Sequence, residues 1–130
     1  MVDTHCHIFH EYYDNIDEVI NKMENNIIIV NGTNINDNKE VLELVKKYKN
    51  VYGALGLHPT EIDSSYEETL SFIEKHLNDE KIVGIGEIGL DYHYTLENND
   101  IQKEVFIKQL NLARKYNKSV IIHSRDAIND

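Results

Sequence analysis

The first residues of this chain that could do chemistry are two histidines two residues apart, in Val2-Asp3-Thr4-His5-Cys6-His7. On an extended strand, residues i and i+2 point to the same face. His5 and His7 are therefore expected to aim two imidazoles at one spot, with Asp3 on their side and Thr4 and Cys6 on the other. Neutral imidazole suits zinc, iron, nickel and copper, so the pair makes half of a metal site. Short His-x-His runs also arise by chance, and the reading depends on what else the chain supplies. It supplies His58 after Gly56-Leu57, Glu87 and Asp91 in Gly86-Glu87-Ile88-Gly89-Leu90-Asp91-Tyr92, and His123 and Arg125 in Ile121-Ile122-His123-Ser124-Arg125-Asp126.

Glu87 is the telling member. It follows an apolar, glycine-spaced run, where an unpaired carboxylate would be costly to bury. A carboxylate bridging two cations removes that cost. Two-metal sites hold their ions about 3.5–4 Å apart and clamp the attacking and leaving oxygens of a displacement. In such a site His5 and His7 would hold one ion and His123 the other, with Glu87 between them. Each remaining candidate has a plainer alternative. His58 either faces substrate or caps a strand end. Asp91 either orients a ligand or forms a turn. Arg125 either holds a phosphate in its planar fork or pairs with Asp126 or another carboxylate. His10, His76 and His93 read as surface or loop residues. Tyr12, Tyr13, Tyr92 and Tyr94 could stack on bases but suit packing at a rim equally well.

These residues need elements to position them, and the apolar pattern supplies alternating strands and helices. The strands are expected at the start of the chain, at Ile27 to Val30, Val51 to Leu57, Ile82 to Glu87 and Ser119 to Ile122. A helix carrying Ile16, Val19, Ile20 and Met23 should begin near Asp14. Asp37 with Glu40 suggests a capping box for a second, whose stripe is Val41, Leu42, Leu44, Val45 and Tyr48. A third follows Ser64 and Ser65, with Leu70, Ile73 and Leu77 on one face. A fourth runs from about Asn99 to Tyr116. Strands alternating with helices imply a parallel sheet with right-handed crossovers. A doubly wound sheet would bring a glycine-rich phosphate loop, but Gly84-Ile85-Gly86 lies within a strand. A (β/α)8 barrel gathers its working residues at the C-terminal ends of strands, where His5, His7, His58, Glu87, Asp91, His123 and Arg125 fall.

Size and charge set limits. A chain of 130 residues fits one domain with a real core. No apolar run is long enough to span a membrane, and the first residues do not look like a secretory signal. The single cysteine, Cys6, favours a reducing compartment such as the cytoplasm and reads as a small buried strand residue. The net charge of −10 argues against a broad basic surface for nucleic acid. It leaves room for a phosphate-bearing substrate, because bound divalent cations reverse the local field. Glu67, Glu68, Glu74, Asp79 and Glu80 suggest a solvated outer face.

Taken together, Asp3-Thr4-His5-Cys6-His7, Gly56-Leu57-His58-Pro59, Gly86 to Tyr92 and Ile121 to Ala127 resemble the successive signatures of the TatD family of metal-dependent deoxyribonucleases. Gln102, Phe106, Gln109, Leu110 and Ala113 resemble the family's helix before its His-Ser-Arg-Asp strand. The resemblance covers residues 1–130 as the N-terminal part of one barrel domain. It implies a TIM-type (β/α)8 barrel of the metallo-dependent hydrolase kind, represented here by its first five strands and four helices. It further implies two divalent ions (zinc, manganese or magnesium), with His5 and His7 as ligands of the first, Glu87 as bridge and His123 as ligand of the second. DNA or another phosphodiester is the implied substrate, with Glu87 and Arg125 the candidates for catalysis and His58, Asp91 and Arg125 for substrate contact. Ser119 and His93 depart mildly from the family pattern. Length is the larger departure, since a barrel takes roughly 250 residues and the family completes its site with a histidine and an aspartate on later strands. Two other readings stay open: a non-catalytic metal-binding fragment, and a related hydrolase of another ester or amide. Open edges on the first and fifth strands, and barrel-filling faces expected around Ile28, Val30 and Ile85, further suggest self-association.

Overall fold

A computed structural model describes residues 2–7, 9, 15–23, 25–93 and 97–127, with the backbone alone for 2–6. In chain order the elements are β1 (Val2–Cys6), α1 (Ile16–Asn21), β2 (Ile27–Asn31), α2 (Ile35–Lys47), β3 (Val51–Leu55), a 3-10 turn (Pro59–Glu61), α3 (Tyr66–His76), β4 (Ile82–Asp91), α4 (Asn99–Tyr116) and β5 (Ser119–Arg125). All strand pairings are parallel and the sheet order is the chain order, β1-β2-β3-β4-β5. This is a partial barrel. Each helix returns the chain so that the next strand runs the same way, and every strand therefore ends at one rim.

The helix boundaries follow local chemistry. α1 is capped by Asn15, whose side chain accepts the Glu18 amide, and Asp14 lies outside the described residues. α2 starts earlier than Asp37 and Glu40 suggested. Asn34 is its cap and accepts from the Asp37 amide, so Asp37 sits within the first turn. There its carboxylate takes the Thr33 hydroxyl and its charge faces the positive helix end. α4 has the expected span and ends on Asn117, which takes the left-handed conformation at φ 54, a common helix stop.

Two strands differ from the expected spans in ways that matter. β4 and β5 run on to Asp91 and Arg125, so Glu87 and His123 lie within strands. They pair over this extension, with Gly89 opposite His123 and Asp91 opposite Arg125. Gly89 makes the approach possible: its φ is +144, and a Cβ there would collide with the His123 carbonyl. In β1 the register shifts between Asp3 and Cys6.

The core lies between sheet and helices. Ile28, Val30 and Ile85 were expected on faces needing outside cover; instead they are fully buried, in the same cluster as Val41, Val45, Ile73 and Val105. The apolar side chains left exposed are Ile27, Val83, Ile107 and Ile122. Among the described residues, no helix is long and apolar enough to cross a membrane.

Candidate metal centre

Glu87 is the hub of the rim. It is 8 % exposed, and its amide donates to the Gly32 carbonyl at 3.0 Å, tying β4 to the end of β2. One carboxylate oxygen lies 3.5 Å from His7 Nε2, and the other lies 3.2 Å from His123 Nδ1. Two imidazoles from opposite sides of the sheet thus meet one buried carboxylate.

What each imidazole does with its other nitrogen decides what it offers. His7 Nδ1 is 3.0 Å from the Asn31 carbonyl. A carbonyl only accepts, so Nδ1 carries a proton and Nε2 is the nitrogen that His7 turns toward Glu87. His123 Nε2 is 2.9 Å from an Asp91 oxygen. With Nε2 donating there, neutral His123 turns a bare Nδ1 toward Glu87. A ligand imidazole whose far N–H is held by a carbonyl or carboxylate is the usual arrangement around protein-bound metals. The donor set therefore fits a divalent cation at Glu87.

The facing Glu87 carboxylate raises the His7 pKa above the ordinary 6.5, against the opposing pull of burial. Asp91 is 3 % exposed. Burial alone would raise its pKa, but the bond from His123 and the His93 amide outweigh it and hold the carboxyl below its ordinary value. The nearby Arg125 charge adds to this.

His58 is the third imidazole. Its ring centroid lies 4.4 Å from that of His123, and His58, Glu87 and His123 each bring one potential ligand atom within 4.8 Å of the others. Burial first, and the His123 charge second, lower its pKa. It caps the 3-10 turn and also lines a cavity of about 230 Å³ with His7, Thr33, Thr60, Glu61 and Glu87. One side chain thus both caps the turn and lines the cavity.

The other candidates fall as follows. His5 lies on β1, with its side chain outside the described set. Asp91 orients His123 and also takes the His93 amide at 3.0 Å. Arg125 is exposed, and its carbonyl accepts from the Tyr92 amide at 3.0 Å. His93 does more than a plain surface residue would, since its Nδ1 lies 3.0 Å from Asp126 across the β4–β5 ends. His76 packs against Phe72 away from the centre. His10, Tyr12, Tyr13 and Tyr94 lie outside the described residues.

Three buried amides support the rim, and their work was not foreseen. Asn38 bonds both the N–H and C=O of Gly56. Gln109 does the same for Leu57, at 2.8 and 3.1 Å. Gln102 does it for Asp91, at 2.8 and 2.9 Å. Each clamp satisfies backbone groups where a strand leaves its ladder. The sequence carried a signal for two of them: Gln102 and Gln109 sit seven apart on the apolar face of α4 with Val105 and Ala113.

A partial parallel barrel with a histidine–carboxylate cluster at its C-terminal rim defines a class of metal-dependent hydrolases. The family model described as TatD related DNase matches residues 2–130, and the chain belongs to that family. It is 40 % identical to the uncharacterized metal-dependent hydrolase YabD of Bacillus subtilis, over all of this chain and 52 % of that protein. It is also 40 % identical to an uncharacterized metal-dependent hydrolase of Methanocaldococcus jannaschii, over 95 % of this chain and 50 % of that one. The crystal structure of the TatD homologue YjjV from Escherichia coli superposes with a TM-score of 0.79 at 30 % identity, covering 98 % of this chain and 52 % of YjjV. The chain thus spans about half the length of the relatives it matches.

Proposed function

We propose that this chain is the N-terminal part of a metal-dependent hydrolase that cleaves phosphodiester bonds in DNA, around two divalent cations bridged by Glu87. One observation carries the reading: the two oxygens of a single buried carboxylate face one ring nitrogen each of His7 and His123. Cations bound there would supply Lewis acidity and water activation at neutral pH. Zinc, manganese and magnesium all fit a donor set of imidazole and carboxylate. His7, with His5 beside it on β1, serves one cation and His123 the other, and Glu87 touches both. Asp91 holds the His123 ring in its productive orientation. Arg125 stands at the same rim, suited to a phosphate by its planar fork. The family description favours DNA over other esters, and the net charge of −10 makes cations a requirement for approach of a polyanion.

The test is calorimetric titration with manganese or zinc. Glu87→Ala removes a ligand from both ions and is expected to weaken binding by more than about 100-fold, beyond what loss of an outer partner costs. His5→Ala, which touches one ion, should lose less. Equal binding by wild type and Glu87→Ala would refute the bridge. In a chain completed by the rest of the barrel, Glu87→Ala should also abolish DNA cleavage with the fold intact.

A further inference from the structure

Just past the paired ends of β4 and β5, His93 bonds in two directions. Its amide donates to one Asp91 oxygen at 3.0 Å. The other Asp91 oxygen lies 2.9 Å from His123 Nε2. The His93 side chain reaches the opposite way, with Nδ1 3.0 Å from an Asp126 oxygen. A carboxylate only accepts, so Nδ1 is the donor there. The run Asp126, His93, Asp91, His123 thus crosses from the end of β5 to β4 and back, and ends on an imidazole that faces Glu87. The backbone brings its members together. Asp91 pairs with Arg125, and the Tyr92 amide bonds the Arg125 carbonyl, so His93 and Asp126 leave the ladder side by side. Asp126 does so in the left-handed conformation at φ 55, which aspartate takes more readily than most residues. Gln102 holds the Asp91 backbone through both its N–H and its C=O. The direction of the Asp91 carboxylate is a separate matter, and the His93 amide helps to set it.

We infer that His93 is a positioning residue for the metal centre: by gripping Asp126 it keeps its amide on Asp91, and so keeps Asp91 aimed at His123. This rests on the reading of Glu87 and His123 as metal ligands. The side chains of His93 and Asp126 are 44 % and 62 % exposed, and exposed pairs of this kind add little to folding stability. The effect of the contact is therefore expected at His123 and not in the unfolding curve. Two substitutions separate its parts. Phenylalanine fills the place of the ring but has no donor. Asparagine is smaller but puts an amide N–H about where Nδ1 lies.

Calorimetric titration with zinc at neutral pH tests this, with urea unfolding of the metal-free proteins alongside. His93→Phe is expected to bind zinc about fivefold more weakly, less than the 10–100-fold typical when a ligand loses its direct outer partner. Its unfolding midpoint should stay where it is in wild type. His93→Asn, which restores a donor, should recover most of the affinity. Asp91→Ala keeps His7, Glu87 and His123 but cuts the run in the middle, and in that background His93→Phe should have no further effect on zinc. Zinc affinity unchanged in His93→Phe would overturn the inference. So would an equal loss with and without Asp91, because His93 would then act on the site by another route or through the fold at large. Wild type that binds no zinc would refute the metal centre itself, and the inference with it.

Discussion

The ends of β3 and β4 and the end of β5 contribute to one site but are built differently. At the first two, buried amides hold the backbone: Asn38 on Gly56, Gln109 on Leu57 and Gln102 on Asp91. β4 is buried along its length apart from Val83, whereas β5 has no fully buried residue. β5 is instead held from its own site side chain, with His123 between Glu87 and Asp91, and by the Tyr92 amide on the Arg125 carbonyl. The central rim is thus preorganised by the fold, and the β5 rim is organised by the site chemistry. Variants of the two should fail in different ways.

The largest effect on stability is expected where the fold does the holding. Gln109→Leu keeps the volume roughly but strands the Leu57 N–H and C=O in a buried place. Unmade buried hydrogen bonds cost about 1–3 kcal/mol each, so a loss of about 2–4 kcal/mol is expected in urea unfolding of the metal-free chain. Metal affinity at neutral pH should change little while the chain stays folded, because Gln109 touches neither His7, Glu87 nor His123. Destabilisation below about 0.5 kcal/mol would show that the amide clamp contributes little.

The matching change on the β5 side is Asp91→Asn, and it should act on the metal more than on the fold. Asn can still accept from His123 but lacks the charge that strengthens the bond. Loss of such an outer partner typically costs about 10–100-fold in metal affinity. The acid limb should change too. The Asp91 pKa is depressed in the folded chain, so its contribution is full above the unfolded value of about 3.9 and is lost as pH falls through the folded value. Wild type should therefore lose more stability than Asp91→Asn between roughly pH 5 and pH 2. Parallel acid-unfolding curves for the two proteins would remove Asp91 as a charged anchor.

The same contrast marks what the sequence could reveal. Strand and helix order, the span of α4 and the rim position of the candidate residues follow from apolar periodicity. His7, Glu87 and His123 were legible because histidine and glutamate at successive strand ends have few bland uses. The amide clamps were not, since a buried glutamine gives no local pattern until its backbone partner is known. The cap of α2 was misplaced because Asp37 and Asn34 both suit an N-terminus; it is the Asn34 side chain that takes the Asp37 amide, while the Asp37 carboxylate takes the Thr33 hydroxyl. The extension of β4 and β5 was missed because it is a pairing between distant segments, with Gly89 giving way to His123. Nor could periodicity tell which face of β2 would be covered, which is why Ile28 and Val30 were assigned to the wrong one.

The smallest expected effect on folding, and the sharpest test of the exposed strand, is Ile122→Lys. β5 is at the end of the sheet order and pairs with β4 on one side. Ile122 is 56 % exposed near its middle, and a β-branched residue on an edge strand invites another chain to extend the sheet. Arg114, Lys115, Lys118 and Arg125 lie in and around the strand and oppose like-with-like pairing, as does the net charge of −10. Salt screens that repulsion over about 8 Å at physiological strength, so the isolated chain is expected to self-associate as salt is raised. A lysine at 122 restores a charge at the centre of the edge. Because the site is already exposed, stability should shift by no more than about 0.5 kcal/mol. Sedimentation velocity across a concentration series should show the wild type gaining a faster species that Ile122→Lys lacks. A wild type that stays monomeric at high salt and high concentration, or a variant that associates equally, would show that β5 needs no cover from another chain.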